Sequence, residues 1–162
     1  MNQPTTAEVI TDIRATPTQI WTALTTPSLL KSFFMGADIK SDFKVGSPIT
    51  FRGTFKGREY EDKGEIKTAD LGRRLAFSHY SPLAGQPDTP DNYHLITIEL
   101  APDGSGTTVT LTQSNLMGGP KPSDGKMRAE YEKNWAGVLA GLKKVVEPGV
   151  SARAAEAPRR AR

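Results

Sequence analysis

Two periods of hydrophobic spacing alternate along this chain, and the points where one gives way to the other outline a fold. In AEVITDIR, Val9, Thr11 and Ile13 share one side, the mark of a half-buried strand. ATPTQIWTALT changes to helical spacing: Ile20, Trp21 and Leu24 form a stripe, with Thr16 suited to cap it and Pro17 to its first position. Pro27 opens a second short helix that offers Leu29, Leu30, Phe33 and Phe34 for burial. From Pro48 to Leu116 the period returns to two, in strands separated by turn signals. After GGPKPS, where Asp124 is the expected cap, YEKNWAGVLAGLKKVVE places Tyr131, Trp135, Val138, Leu139, Leu142, Val145 and Val146 along one side of a long helix.

Strand registers follow from keeping the apolar residues on one face. Taking Gly57 and Arg58 as a two-residue turn pairs Phe55 with Tyr60, Gly53 with Asp62, Phe51 with Gly64 and Ile49 with Ile66. In the last hairpin, pairing Leu100 with Thr107 sets Ile98 against Val109, Ile96 against Leu111 and His94 against Gln113. RLAFSHY must turn Leu75 and Phe77 inward, and His79 with them, because a one-residue slip sends the whole set to solvent. The loop from Ser81 to Asp91 reads as a long unstructured flap; with Tyr80 facing Tyr93 across it, His79 lies opposite His94. The predicted fold is α+β: one strand, two short helices, a curved antiparallel meander of about six strands, and a C-terminal helix across its concave face. Such an arrangement leaves room for a pocket between sheet and helix.

The 162 residues suffice for one domain with its own core. They include no cysteine, which removes disulfides, thiol nucleophiles and thiolate metal sites and suits a reducing compartment. The start, MNQPTTAEVITDIR, lacks a basic stretch followed by an apolar run, and no segment approaches membrane-spanning length, so a cytoplasmic protein without membrane insertion is expected. The net charge of +3 points to a nucleic-acid partner until it is located: Arg153, Arg159, Arg160 and Arg162 against Glu156 account for all of it. Residues 148–162 therefore read as a disordered basic tail on a single domain, 1–147, whose own charge balances, and no specific nucleic-acid binding is expected.

The glycine-rich GGPKPSDGKM fails as a phosphate loop, since Met127 follows Lys126 where a hydroxyl is required. Gly104 to Gly106 is the tip of a hairpin, not a dinucleotide fingerprint. No serine-nucleophile signature is present, and two histidines without cysteine make a poor zinc site, so neither cofactor nor metal is expected.

The order of elements, with ATPTQIWTALTTPSLLKSFF after the first strand, RRLAFS in the middle, LAPDGSGTTVTLTQSNL on the last hairpin and NWAGVLAGLKKVVE at the end, resembles the START-like (SRPBCC) superfamily. Within it the chain is similar to the group named after the activator of the ninety-kilodalton heat-shock protein's ATPase. The resemblance covers residues 7–147 and implies a helix-grip fold enclosing an apolar cavity, with members that bind lipids, sterols, polyketides or other apolar molecules. Two departures stand out: Asn134 precedes Trp135 where members usually have glycine, and His79 stands where the group often has tryptophan. The eukaryotic activators also carry a separate N-terminal module that engages the chaperone, for which this chain has no room.

Three functional readings follow. In the first, a small apolar or aromatic ligand is bound between sheet and helix, lined by Trp21, Phe33, Phe51, Phe55, Phe77, Leu111, Trp135 and Leu139, with His79, His94 and Gln113, bordered by Asp62, as the polar row that orients it. In the second, His79 or His94 acts as acid or base in a cyclase or hydratase. The third, contact with a chaperone, is implied by the resemblance alone. The sequence sets no oligomeric state.

Overall fold

The computed structural model describes residues 5–148. The tail predicted for residues 148–162 lies outside that span except for Pro148. Seven strands, β1 (Ala7–Ile13), β2 (Asp38–Lys40), β3 (Pro48–Phe55), β4 (Arg58–Asp70), β5 (Arg74–His79), β6 (His94–Asp103) and β7 (Gly106–Asn115), form one curved antiparallel sheet in the order β1-β7-β6-β5-β4-β3-β2. Helices α1 (Pro17–Leu24) and α2 (Pro27–Phe33) join β1 to β2, and α3 (Pro122–Val146) closes the chain. This is the predicted helix-grip architecture.

Local chemistry sets the helix starts. Thr16 caps α1 in a reciprocal box: the Gln19 N–H donates to Thr16 Oγ1 at 3.1 Å and the Thr16 N–H to Gln19 Oε1 at 2.9 Å, worth about 1 kcal/mol. Along α3, Trp135, Val138, Leu139 and Leu142 are buried, and Tyr131, Val145 and Val146 pack at the margin of the same core. Facing them are Ile66, Leu75, Phe77, Ile96, Ile98, Val109 and Leu111 from the sheet, with Ile20, Leu24, Leu30, Phe33 and Phe34 from the short helices. Each fully buried aliphatic side chain contributes about 1.5–3 kcal/mol, so the stripe on α3 holds the helix in place. Helix α3 also runs along the edge strand. Glu132 Oε2 accepts from the Glu8 N–H at 3.0 Å, and Glu147 Oε2 from the Arg14 N–H at 2.9 Å.

Two registers differ from expectation by two residues. Lys56 and Gly57, at φ 51° and 78°, make the first turn, so Phe55 pairs with Arg58, Phe51 with Asp62 and Ile49 with Gly64. A turn with positive φ at both central residues matches the twist of its strands, which favours this pair over Gly57 and Arg58. In the last hairpin β6 and β7 continue to Asp103 and Gly106 around Gly104, so Leu100 faces Val109 and His94 faces Asn115. A shift of two leaves every side chain on its predicted face. His79 does pair with His94.

Asp124 is not the cap of α3. The helix begins at Pro122 with Lys121 in the cap position, which places Asp124 inside the first turn. The flap is also more ordered than expected. It contains two single 3-10 turns, Pro82–Ala84 and Pro90–Asn92, and Lys121 Nζ donates to the Asp91 carbonyl at 2.8 Å and to Asn92 Oδ1 at 2.7 Å. Hydroxyls of Tyr80 and Tyr93 reach Gln86 O and Asp88, whose carboxylate also pairs with Lys63.

Candidate functional site

Between the middle strands, α3 and the flap lies a cavity of about 230 Å³, room for a molecule of one or two rings by comparison with cavities that hold benzene. Phe34, Phe51, Tyr131 and Trp135 form its apolar wall; Asp62, His79, His94 and Gln113 cross it as a polar row from β4 to β7. Phe34 stacks on Phe51 with centroids 5.7 Å apart and meets Trp135 edge-on at 5.5 Å, so three rings, from the C-terminal cap of α2, from β3 and from α3, brace one another. A separate void among Phe43, Phe77 and Ile98 measures only about 10 Å³.

Each member of the row is held by a specific partner. Gln113 Oε1 accepts the Trp135 indole N–H at 2.6 Å. His79 Nε2 lies 3.0 Å from Asp62 Oδ2, and His94 Nε2 lies 2.7 Å from Asp124 Oδ1. A carboxylate only accepts, so Nε2 carries the hydrogen in both rings. His79 stands edge-on to Phe51 at 5.2 Å and His94 edge-on to Tyr131 at 5.4 Å. The second oxygens, Asp62 Oδ1 and Asp124 Oδ2, are buried and have no hydrogen-bond partner among the described residues. Burial, and after it the Asp62 charge, pushes the Tyr60 hydroxyl above its ordinary pKa; burial and then Asp124 do the same to Tyr131. Both phenols therefore stay protonated at neutral pH and remain donors.

Glycine makes part of this geometry possible. A Cβ on Gly64 would lie 1.7 Å from the Ser78 carbonyl oxygen. Only a residue without one lets β4 and β5 approach this closely between Asp62 and His79.

Of the residues expected to line the pocket, His79, His94, Gln113, Phe51 and Trp135 do so. Phe77, Leu111 and Leu139 are buried in the closed core, Phe33 packs under α3 at Gly141, and Trp21 is half-buried at the core's margin. Phe55 is 56% exposed beside the turn, with Lys56 Nζ 5.3 Å from its ring, because the two-residue shift carries it to the hairpin's tip. Sequence reasoning missed Asp124, Tyr60, Tyr131, Phe34 and Asn134. For Tyr131 the signal was its helical spacing from Trp135, and for Asn134 its departure from the family pattern.

Among the described residues no three or more His, Cys, Asp or Glu stand together as metal ligands. No helix there is long and apolar enough to cross a membrane.

A curved sheet gripped by one long helix, with a small cavity between them, defines a protein of the START-like class. The chain belongs to the family described as Activator of Hsp90 ATPase homolog 1-like protein, whose model matches residues 14–147. Its fold is that of ChR145 from Cytophaga hutchinsonii, at 40% identity and TM-score 0.74 over 93% of this chain and 99% of that one. The Aha1 dimer from Colwellia psychrerythraea, at 24% identity and TM-score 0.67 over 89% and 97% of the two chains, has the same fold. So does CalU16 from Micromonospora echinospora, at 20% identity and TM-score 0.65 over 88% and 76%. No curated protein matches.

Proposed function

We propose that this protein binds a small, largely aromatic or apolar molecule carrying a polar end in the cavity under α3. The observation that carries this reading is the wall itself: a brace of aromatic rings on one side and a row of hydrogen-bonding groups, each held in place, on the other. A cavity lined mostly by apolar side chains with a few fixed polar groups is what selective small-molecule binding requires. The two positions at which the chain departs from its family's pattern, His79 and Asn134, both line this cavity. That supports a ligand choice of its own. Contact with a chaperone rests on family membership alone.

Native mass spectrometry of the purified protein, followed by titration with one- and two-ring aromatic compounds while the Trp135 indole N–H resonance is observed, tests the proposal. A retained compound, or a saturable shift of that resonance, is expected. No retained mass and no shift across the series refutes it.

A further inference from the structure

Resting on the reading of this cavity as a ligand site, we propose that the two His–Asp pairs move a proton within the bound molecule, and that the substrate class is a small aryl or apolar ketone converted to its enol.

Three observations lead there. First, each imidazole has one nitrogen committed: Nε2 of His79 and of His94 is bound to a carboxylate. Nδ1 is then the nitrogen each ring has for exchanging a proton, and among the described residues no protein group bonds to either one. Second, the rings are neighbours. His79 and His94 pair directly across β5 and β6, a relation that sets their Cβ atoms about 4.5–5.5 Å apart. A carbonyl oxygen and its α-carbon are two bonds apart, so a ketone lying against this pair presents one atom to each ring. Third, an imidazole oriented through one nitrogen by a buried carboxylate is the arrangement by which proteins fix a general base and stabilise the imidazolium it becomes.

The step balances without a co-reactant. Nδ1 of one ring takes the α-proton; the C–H pair forms the C=C bond, and the carbonyl π pair moves to oxygen. That oxygen takes a proton from Nδ1 of the other ring, and the enol results. The first ring ends as the imidazolium and the second as the neutral imidazole, so the pair keeps its single proton. Tyr60 and Tyr131, both protonated, line the same cavity and offer further donors to the developing oxyanion. The titratable groups facing the two rings are Asp62 and Tyr60 on β4 and Asp124 and Tyr131 on α3. Asp62 and Asp124 act as positioning residues.

The experiment uses 2-tetralone in D2O with the full chain, following loss of its α-proton signals by NMR and, in the same samples, the Trp135 indole resonance. Exchange at least about 100-fold faster than in buffer is expected, falling by a similar factor in His79→Gln and in His94→Gln while the indole shift still saturates. The rate should rise and then fall with pH, since one ring must be neutral and the other charged. Asp124→Asn should lower the rate by about tenfold or more and move that pH profile, with binding kept. Saturable binding with no acceleration over free imidazole at equal concentration overturns the catalytic proposal and leaves the binding reading standing. Absence of any saturable binding overturns both. Should a histidine variant fail to fold, the comparison of the unaltered protein with free imidazole decides alone.

Discussion

Replacing Gly64 by alanine adds one methyl group and should be among the most damaging single changes in the sheet. The new Cβ would stand 1.7 Å from the Ser78 carbonyl oxygen, where real contacts begin above 3.0 Å, so β4 and β5 must part. Their separation breaks or stretches three bonds: Lys63 N–H to Tyr80 O at 3.0 Å, Tyr80 N–H to Lys63 O at 2.8 Å, and Glu65 N–H to Ser78 Oγ at 2.9 Å. At about 0.5–1.5 kcal/mol net each, with about 1–3 kcal/mol for the forced backbone shift, the loss comes to roughly 3–7 kcal/mol. In urea, at a typical slope of about 1–3 kcal/mol per molar, the midpoint should fall by roughly 2 M. Glycine to alanine inside an unobstructed strand would instead stabilise by about 0.5–1 kcal/mol, so even the sign is diagnostic. A loss below about 1 kcal/mol, with the Trp135 indole resonance unmoved, refutes the argument that this contact sets the distance between Asp62 and His79.

The same substitution should act with opposite signs one turn apart on α3: Gly137→Ala has open space and should raise stability by about 0.5–1 kcal/mol, whereas Gly141→Ala would place its Cβ 2.8 Å from Phe33 Cβ and should lower it, both read from thermal midpoints. Trp135→Phe shortens the ring and strands Gln113 Oε1, now bonded at 2.6 Å, and should cost at least about 1–3 kcal/mol in chemical denaturation. Hydrogen bonds from Lys63 and then Tyr93 hold the Asp88 carboxyl below its ordinary pKa. This anchor of the flap is therefore fully present above the ordinary carboxylate range and is lost only as pH falls through the lowered value. Amide resonances of residues 82–92 should stay fixed from pH 8 to about pH 5 and move below about pH 4.

How much of this was readable in advance depended on which physical constraint governed each feature. The inward face of β5 followed from alternation, since burying Leu75 and Phe77 also turns His79 inward whatever the pairing partner. Register within a face was a different matter. Nothing in the alternation of KGRE distinguishes Lys56–Gly57 from Gly57–Arg58 as the turn, and the choice rested on lysine accepting a left-handed φ of 51°. That choice decided whether Phe55 faced the cavity or water. Asp124 was misread because a short acidic residue before an amphipathic run has two uses, capping its own helix or reaching a distant partner. His94, 30 residues away in sequence, claims it.

The glutamates that reach from α3 and its C-terminal cap to β1 and the residue after it carry a consequence for how this protein fails. An edge strand with free amide hydrogens is a template on which another chain can grow, and here two such hydrogens, at Glu8 and Arg14, are already engaged by Glu132 and Glu147. The helix that roofs the cavity is thereby also the guard of the sheet's border. Losing its grip at high temperature would uncover a sticky margin and an oily interior in one event, so heat-induced clumping should begin with the release of α3 and be slowed by any compound that holds the helix down.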